Sequence, residues 1–257
     1  MQILKIVRSI GLGVTNPYLV VCDDDKQYVA KFPGNPDGTR VLINEFVCGK
    51  LAKIMGIPIP NFKIVSIEDI SLFKNDLANI DLINGSVFCS EYLEKTSPVF
   101  GYEILTKIKN KTDAIKILIF DVLIGNNDRN IGNLLINFKN NSIVAIDHSH
   151  VFVYEALWDS INLPSVIGSN IDISQMKQQN FNNLSLCINN KMFLEDINDF
   201  LQKIKNISRN DIAKIIDEIP SDWQIKETEK LALINFLMDR INRIDEICNL
   251  LKIESEV

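Results

Sequence analysis

The amino-acid sequence predicts an α+β protein of two lobes, a small β-rich lobe over residues 1–94 and a larger, mainly helical lobe over residues 95–257. The first third of the chain contains short runs of β-branched and aromatic residues separated by polar turns, which is typical of strands. Beyond about residue 95, apolar residues recur at helical spacing. We therefore expect two lobes that share a cleft.

The composition is that of a soluble globular protein. The 257 residues are 46% hydrophobic and 23% charged, with a formal net charge of -6. Acidic and basic residues are interspersed, so no basic patch indicates a direct nucleic-acid partner. No apolar run is long enough to cross a membrane. The amino terminus is too short and too charged for a secretory signal, and we expect a cytoplasmic protein.

The cysteines and histidines do not form a disulfide or zinc pattern. Five dispersed cysteines without a CxxC pair indicate free thiols in a reducing compartment. The only histidines are His148 and His150. We expect both to be structural, and with so few ligands a zinc site is not expected.

Five strands and one helix are predicted before residue 95. Thr39 is expected to cap the helix, which continues to about Met55 because its apolar residues recur at helical spacing. Gly56 and Pro58 then end it. The predicted strands cover residues 3–8, 18–22, 28–32, 62–67 and 87–91.

The second part of the chain is predicted to contain a buried helix, a hairpin and further helices. Thr112 is expected to cap a helix through Ile124 that is apolar on nearly every side and therefore buried, with Gly125 as its end. A capping pattern begins another helix at Ser208, which ends before Pro220. Two strands cover 134–138 and 143–146 around a tight turn at 140–141, two more helices cover 192–204 and 227–251, and 163–170 is irregular.

Three polar residues in the middle of the chain carry the strongest functional signal. Asp128 and Asn133 lie five positions apart in the loop after the buried helix, and Asp147 ends the hairpin. A phosphoryl-transfer site has one aspartate that orients a substrate hydroxyl, and an asparagine and a second aspartate that hold Mg²⁺. The alternative is a turn without function, because Asn and Asp favour turns.

The predicted hairpin brings Asn133 close to Asp147 in either of two registers. With a two-residue turn, Leu134 lies opposite Asp147, and with a three-residue turn, Asn133 does. Opposed or adjacent residues across a strand pair lie within about 5–8 Å. One Mg²⁺ ion, which prefers hard oxygen ligands, can then be held by both side chains.

Lys31 and Glu45 are predicted to form the phosphate-binding part of the same site. Lys31 lies within a predicted strand between apolar residues. There it either protects an edge strand from aggregation or binds phosphate. Glu45, on the first helix, is the natural ion-pair partner that would fix the lysine's direction. A solvent-exposed carboxylate is the alternative for Glu45.

Two backbone segments are predicted to contact the nucleotide. Gly11, Gly13 and Thr15 lie between the first two strands, where glycines let backbone N–H groups approach phosphate oxygens, although two glycines in a hairpin turn are ordinary. Phosphorylation of Thr15 would add charge that repels ATP. The connector after the last strand of the small lobe offers backbone groups to adenine, or is a plain linker; its residues are Glu91, Tyr92 and Leu93.

A buried ion pair is predicted beside the loop that follows the buried helix and carries Asp128. Asp121 is a carboxylate within an otherwise apolar helix, and an unpaired buried charge is costly. Arg129 follows the helix closely and is its expected partner. Their ion pair would brace the loop that carries Asp128.

Segment 120–152 resembles HipA-like kinases in Asn126-x-Asp128-Arg129-x3-Asn133 and Ile146-Asp147-His148. It is also similar to the Asp-Arg and Ile-Asp motifs of phosphatidylinositol kinases. The loop at 11–16, Lys31, and Ile219-Pro220-x2-Trp223 before a long helix extend the resemblance to nearly the whole chain.

The resemblance implies a two-lobed protein-kinase-like fold that uses ATP and Mg²⁺ and phosphorylates serine or threonine on proteins. It implies that Asp128 is the catalytic base, that Asn133 and Asp147 are metal ligands, and that Lys31 binds phosphate. Because the family includes toxins, an antitoxin-like regulatory partner is a further candidate.

The chain departs from the family pattern beside these residues. Asn130 and Gly132 stand where HipA proteins tend to have histidine and lysine, and residues 148–149 are His-Ser where Phe-Gly is the kinase pattern. These departures leave charge stabilisation at the transferred phosphoryl group to Lys31, Mg²⁺ and Arg129.

Three functions fit these features. The first is an ATP-dependent kinase acting on a protein hydroxyl. The second is a small-molecule or lipid-headgroup kinase, for which anionic lipid is the less favoured acceptor because no basic face is evident. The third is a nucleotide-binding pseudokinase acting as an interaction module. The presence of Asp128 argues against the third, because a binding module needs no catalytic base.

Overall fold

A five-stranded antiparallel sheet forms the amino-terminal part of the computed structural model, which describes residues 2–10, 15–70, 73, 84–176 and 178–253. Its strands are β1 (Ile3–Ser9), β2 (Tyr18–Cys22), β3 (Gln27–Lys31), β4 (Phe62–Ile67) and β5 (Gly85–Glu91). The spatial order β1-β2-β3-β5-β4 makes β3 the central strand, and Lys31 at its end pairs with Phe88 of β5. The sequence predicted all five strands to within two residues.

Helix α1 (Arg40–Met55) packs between the sheet and the rest of the protein. Its apolar residues share one core with the carboxyl-terminal helices and with Phe62 and Phe88 of the sheet. Gly56 ends the helix in the left-handed conformation, as predicted. Thr39 is at the N-cap position, as predicted, but its side chain does not cap the helix, because its hydroxyl donates to the carbonyl oxygen of Trp223 at 3.0 Å.

The carboxyl-terminal part surrounds one buried helix. The second sheet contains β6 (Thr96–Pro98), β7 (Leu134–Asn137) and β8 (Ser142–Ala145). The helices are α2 (Tyr102–Leu105), α3 (Thr112–Ile124), α4 (Asn162–Ser165), α5 (Gln179–Leu186), α6 (Ile197–Lys205), α7 (Arg209–Asp217), α8 (Glu227–Asn242) and α9 (Ile244–Leu250). The predicted burial of α3 and its end at Gly125 are confirmed. Thr112 is not its cap, because its hydroxyl donates to the carbonyl oxygen of Glu195 at 2.7 Å.

The turn between β7 and β8 is longer than either predicted turn. Asn137 pairs with Ser142, which leaves residues 138–141 in the turn. Asparagine side chains accept hydrogen bonds from backbone N–H groups within it and so stabilise this longer form. The N–H of Ile146 donates to the carbonyl oxygen of Asn133 at 3.1 Å, so Asp147 lies one residue beyond the position opposite Asn133. Both predicted registers were therefore wrong.

The later helices are shorter than predicted. The 192–204 prediction corresponds to a short 3-10 helix followed by α6, because Asp196 has a left-handed conformation between them. The 227–251 prediction is divided into α8 and α9 at Arg243. The capping box at Ser208 is confirmed, with Asp211 as its partner. α4 overlaps the start of the stretch 163–170 that was predicted to be irregular.

Two residues after α7 tie the first sheet to the helical part. The indole N–H of Trp223 donates to the carbonyl oxygen of Ser86 at 2.8 Å, and the N–H of Ser86 donates to Asp222 at 2.5 Å. All five cysteines are free thiols, as predicted, and all five are buried. Among the residues described, no helix is long and apolar enough to span a membrane.

Candidate active site

A cavity of about 450 Å³ lies between the first sheet and the β7–β8 hairpin. This volume is within the usual range for small-molecule and cofactor sites. The lining combines an apolar surface with a small polar cluster. The apolar residues include Val29, Phe88, Leu93, Leu135 and Ile146, and the polar cluster includes Lys31, Glu45, Asn133 and Asp147.

Lys31 is the centre of the polar cluster. Its ammonium group donates to Glu45 at 2.5 Å, to Asp147 at 2.8 Å and to the hydroxyl of Ser149 at 2.6 Å. The ion pair predicted between Lys31 and Glu45 is therefore present. Burial lowers the pKa of Lys31, but the charges of Asp147 and Glu45 outweigh burial and hold the pKa above its ordinary value. Lys31 is a buried, charged amine that uses all three of its donors.

Asp147 follows the hairpin in a left-handed backbone conformation, with φ of +56°. The bonds from Lys31 and Ser149 both fall on Oδ1, and the side chain is 35% exposed. Burial raises the pKa of Asp147, but Lys31 and the Ser149 hydrogen bonds hold it well below its ordinary value. The carboxylate is therefore ionised and faces the cavity with one oxygen that accepts no bond from the described residues.

Asn133, which lines the cavity, holds Asp128, which is not itself among the lining residues. The amide nitrogen of Asn133 donates to the backbone carbonyl oxygen of Asp128 at 2.7 Å and to its carboxylate Oδ2 at 3.1 Å. The side chain of Asn130 donates to the other carboxylate oxygen at 2.8 Å. Because its nitrogen is bonded in this way, Asn133 turns its amide oxygen away from Asp128.

The predicted ion pair between Asp121 and Arg129 is present and fully buried. The Arg129 guanidinium donates to both carboxylate oxygens, at 2.8 and 2.9 Å. Burial lowers the pKa of Arg129, and Asp121 more than compensates. Arg129 also donates to the carbonyl oxygens of Asn133 and Ile146. It therefore braces the loop and the hairpin.

This position overturns one expectation for Arg129. With 1% of its surface exposed and its donors bound to the protein, Arg129 does not face the cavity. Its N–H groups are bonded to Asp121, His148 and two carbonyl oxygens, so they do not contact a transferred phosphoryl group. The family positions at Asn130 and Gly132 supply no cation either.

His148 links the two buried ion pairs. The Arg129 guanidinium lies 3.2 Å from its Nε2, and its backbone N–H donates to Glu45 at 3.1 Å. Burial first, and then the Arg129 charge, hold the pKa of His148 well below its ordinary value. The ring is therefore neutral, and its Nε2 accepts from Arg129. Its role in these contacts is structural.

The connector residues line the cavity, but two of their N–H groups are already bonded. The N–H of Glu91 donates to Asn61 at 2.7 Å, and that of Tyr92 donates to Gln27 at 2.9 Å. The Glu91 carboxylate binds Lys26 and Asn61. Of the N–H groups expected to reach adenine, that of Leu93 is the one for which the described residues supply no acceptor, and the expected contribution of the connector's carbonyl groups stays a prediction.

The glycine-rich loop is described only at its ends. Gly11 and Gly13 lie outside the described residues, so their prediction stays a prediction. The N–H of Ile10 donates to Pro17 at 2.8 Å, which closes the base of the loop, and both residues line the cavity. Thr15 is buried, with 4% of its surface exposed, so its hydroxyl is not presented to solvent.

Two residues in contact with this cluster were not predicted. Ser149 is buried, and its hydroxyl accepts from Lys31 and donates its one proton to Asp147 at 2.6 Å, with Glu45 as a second, longer contact at 3.2 Å. Asn44, next to Glu45 on α1, is also buried and bonds the segment after Asp147. Their position beside the predicted residues Asp147 and Glu45 was the only signal in the sequence.

The fold and the site define a protein of the kinase-fold class. The sequence profile of the HipA-like kinase family matches residues 3–250. The chain belongs to the HipA-like kinase family, as the resemblance indicated. No curated protein matches the chain significantly.

Solved structures of low sequence identity share this fold. The Helicobacter pylori proinflammatory kinase CtkA aligns over 96% of both chains with a TM-score of 0.59 and 20% identity. The Golgi casein kinase with Mn and ADP bound aligns over 96% of this chain and 73% of its own, with a TM-score of 0.51 and 15% identity. HipA of the Shewanella oneidensis MR-1 toxin–antitoxin system, in complex with HipB and operator DNA, covers 97% of this chain and 68% of its own, with a TM-score of 0.47 and 13% identity. The first two likenesses show the kinase-like fold that the sequence predicted.

Proposed function

We propose that this protein is an ATP- and Mg²⁺-dependent kinase that transfers phosphate to a serine or threonine hydroxyl on a protein. The observation that carries the proposal is the convergence of Lys31, Asn133 and Asp147 on one cavity, with Asp128 bonded to Asn133 beside it. Phosphoryl transfer depends on positioning and electrostatic stabilisation more than on covalent chemistry. Buried and oriented groups of this kind are suited to it.

The cavity contains complementary surfaces for a nucleotide. Its apolar side chains suit adenine, and the N–H of Leu93 is a donor for the base. Lys31 suits the phosphates, because its charge is kept by Glu45 and Asp147. Since its three donors are bonded to protein, we infer that a phosphate oxygen replaces one of these partners when ATP binds.

Asn133 and Asp147 fit a Mg²⁺ ion by their chemistry. The amide oxygen of Asn133 and Oδ2 of Asp147 are hard oxygen atoms that accept no hydrogen bond from any residue in the described part of the chain. Mg²⁺ is usually held by one or two protein groups together with substrate phosphates. When bound, it would neutralise charge on the phosphates. The Golgi casein kinase, which has Mn and ADP bound, supports the use of a divalent cation.

Asp128 is the proposed catalytic base. Amide groups from Asn130 and Asn133 orient its two carboxylate oxygens, and the backbone N–H of Asp128 is held by Asn126 at 2.9 Å. An oriented carboxylate that is bonded to a residue of the cavity lining can accept the proton of an incoming hydroxyl. The membership in the HipA-like kinase family supports a protein acceptor, with an antitoxin-like protein as a proposed regulatory partner.

A nucleotide-binding module without transfer is the second candidate. It is favoured by the burial of Arg129 and by the absence of a cation at positions 130 and 132. Among the described residues that line the cavity, Lys31 alone then carries a positive charge. Such a module would bind ATP and Mg²⁺ without turnover.

Incubation with radiolabelled ATP and Mg²⁺ separates the two candidates. The acceptors are the protein itself, dephosphorylated casein, and a vesicle of phosphatidylinositol lipids. The wild type and the exposed-site control Asp217→Ala should label protein serine or threonine, whereas Asp128→Ala should bind ATP without transfer. Equal ATP binding without transfer in all three proteins would support the module, and label on lipid alone would support a lipid kinase.

A further inference from the structure

Asn44 uses every hydrogen-bonding group of its side chain on one segment of the chain. Its amide nitrogen donates to the carbonyl oxygens of Ser149 at 2.6 Å and Glu155 at 3.0 Å. Its amide oxygen accepts from the indole N–H of Trp158 at 2.8 Å. Asn44 is completely buried. Asparagine is not favoured within helices, so these bonds are the evident reason for an amide at this position of α1.

The segment that Asn44 holds, residues 149–158, has an unusual backbone. Phe152, Val153 and Glu155 all have positive φ, of +60°, +70° and +58°. A β-branched residue such as Val153 rarely adopts this conformation. Such residues persist only where the surroundings determine them. Asn44 binds carbonyl groups on both sides of this stretch and is therefore one of its determinants.

The same segment touches the loop that carries Asp128. The N–H of Phe152 donates to Ile124 at 2.7 Å, and the N–H of Val153 donates to Gly125 at 3.3 Å. The side chain of Asn127 lies 3.4 Å from the carbonyl oxygen of Val153, which it donates to. The conformation of segment 149–158 is thus part of the surroundings of Asp128.

Asn44 is followed in α1 by Glu45, which binds Lys31. Glu45 accepts from Lys31 through Oε1 and from the backbone of His148 through Oε2. Two consecutive residues of one helix therefore hold the two sides of the site: Glu45 holds the amine, and Asn44 holds the segment after Asp147. A shift of α1 would disturb both together.

We infer that Asn44 is a positioning residue that fixes segment 149–158 and, through it, the alignment of Asp128 with the nucleotide. The inference rests on the proposed kinase function. It assigns to Asn44 a larger effect on the transfer step than on ATP binding, because Asn44 bonds Ser149 through its backbone carbonyl, leaves the Ser149 hydroxyl on Lys31, and does not line the cavity. Misplacement of reacting groups by a small distance lowers the rate of a reaction strongly.

Two variants test this role. Asn44→Asp keeps the acceptor for Trp158 and removes both donors, and Trp158→Phe keeps most of the ring and removes only the indole donor. We expect Asn44→Asp to lower kcat by about 100-fold and Trp158→Phe by about fivefold. The KM for ATP should stay within about threefold of the wild type in both. Hydrogen exchange of residues 152–157 should become faster. Asn206→Asp, an exposed change of the same kind, should change none of these values.

Each outcome decides the inference. An unchanged kcat in Asn44→Asp, or a loss that lies mainly in KM, would overturn it; if that variant does not fold, an unchanged kcat and exchange rate in Trp158→Phe would do so. A wild type that binds ATP without transfer would overturn the proposed function instead. In that case kcat cannot be measured, and hydrogen exchange alone tests whether Asn44 fixes segment 149–158. Equal exchange rates in the wild type and in Trp158→Phe would then overturn the role of Asn44.

Discussion

Lys31 and Asp147, which are 116 positions apart in the chain, form an ion pair of 2.8 Å across the cavity. Lys31 comes from the central strand of the first sheet, and Asp147 from the end of the β7–β8 hairpin. The pair therefore joins the two parts of the protein at the proposed phosphate site. Its partners Glu45 and Ser149 complete a buried polar cluster.

Lys31→Met should be strongly destabilising as well as inactive. The substitution leaves the Glu45 carboxylate buried without its cation, and removal of one partner from a buried ion pair costs about 3–5 kcal/mol. Urea unfolding should show this loss. The matched control is Lys26→Met, which removes an exposed pair with Glu91 and should cost less than about 1 kcal/mol. Equal losses in the two variants would contradict the burial argument.

Asp128→Asn should separate binding from transfer. The variant keeps the size of the side chain and removes the proposed base, so the transfer rate should fall by about 10²–10⁴-fold. ATP affinity, measured by calorimetry in Mg²⁺, should change by no more than about twofold. A variant that transfers phosphate at the wild-type rate would exclude Asp128 as the base.

Arg129→Met should lower the stability of the protein and disorder the loop that carries Asp128. It leaves Asp121 as an uncompensated buried charge, for which we expect a loss of about 3–5 kcal/mol in the free energy of unfolding. Lys116→Met is the control on α3, because its ion pair with Asp113 is partly exposed and should contribute less than about 1 kcal/mol. A small loss in Arg129→Met would show that the brace is unimportant.

Gly125→Ala, with Gly168→Ala as its control, tests how closely Gly125 approaches the backbone of Val153. Both glycines have left-handed φ, which costs a residue with a Cβ about 1–2 kcal/mol. A Cβ at Gly125 would also lie 2.9 Å from the backbone nitrogen of Val153, whereas Gly168 has open space. Thermal unfolding should therefore show the larger loss for Gly125→Ala, and its transfer rate should fall. Equal losses would contradict the close approach.

The stability of the protein should depend on Asp147 at acidic pH. Its pKa in the folded state lies below the ordinary value of about 3.9, so the ionised carboxylate stabilises the folded state above that pH. This contribution is lost as the pH falls through the folded-state pKa. Urea unfolding of the wild type should therefore weaken more steeply below about pH 4 than that of Asp147→Asn. Parallel pH profiles would contradict this assignment.

Much of the fold was predictable because it follows from local patterns. Short β-branched runs identified β1 to β5, and continuous apolar character identified the buried helix α3. Helix ends at Gly56 and Gly125 were also predicted, because left-handed ends favour glycine. These features depend on residues close together in the chain.

The incorrect predictions depended on contacts between distant residues. Thr39 and Thr112 look like caps, but each donates its hydroxyl to a carbonyl of another segment. The hairpin register depended on asparagine bonds within a turn whose length the pattern did not specify. Ser149 and Asn44 were missed for the same reason, because folding alone brings them to Lys31 and to segment 149–158.

Lys31, Asn133 and Asp147 are proposed to bind a nucleotide and its cation together. A crystal structure with a non-hydrolysable ATP analogue and Mn²⁺ would show whether they do. We predict an anomalous Mn²⁺ peak between the amide oxygen of Asn133 and the carboxylate of Asp147, with phosphate oxygens bonded to Lys31. A nucleotide bound elsewhere, or a Mn²⁺ peak remote from these residues, would exclude this cluster as the nucleotide and cation site.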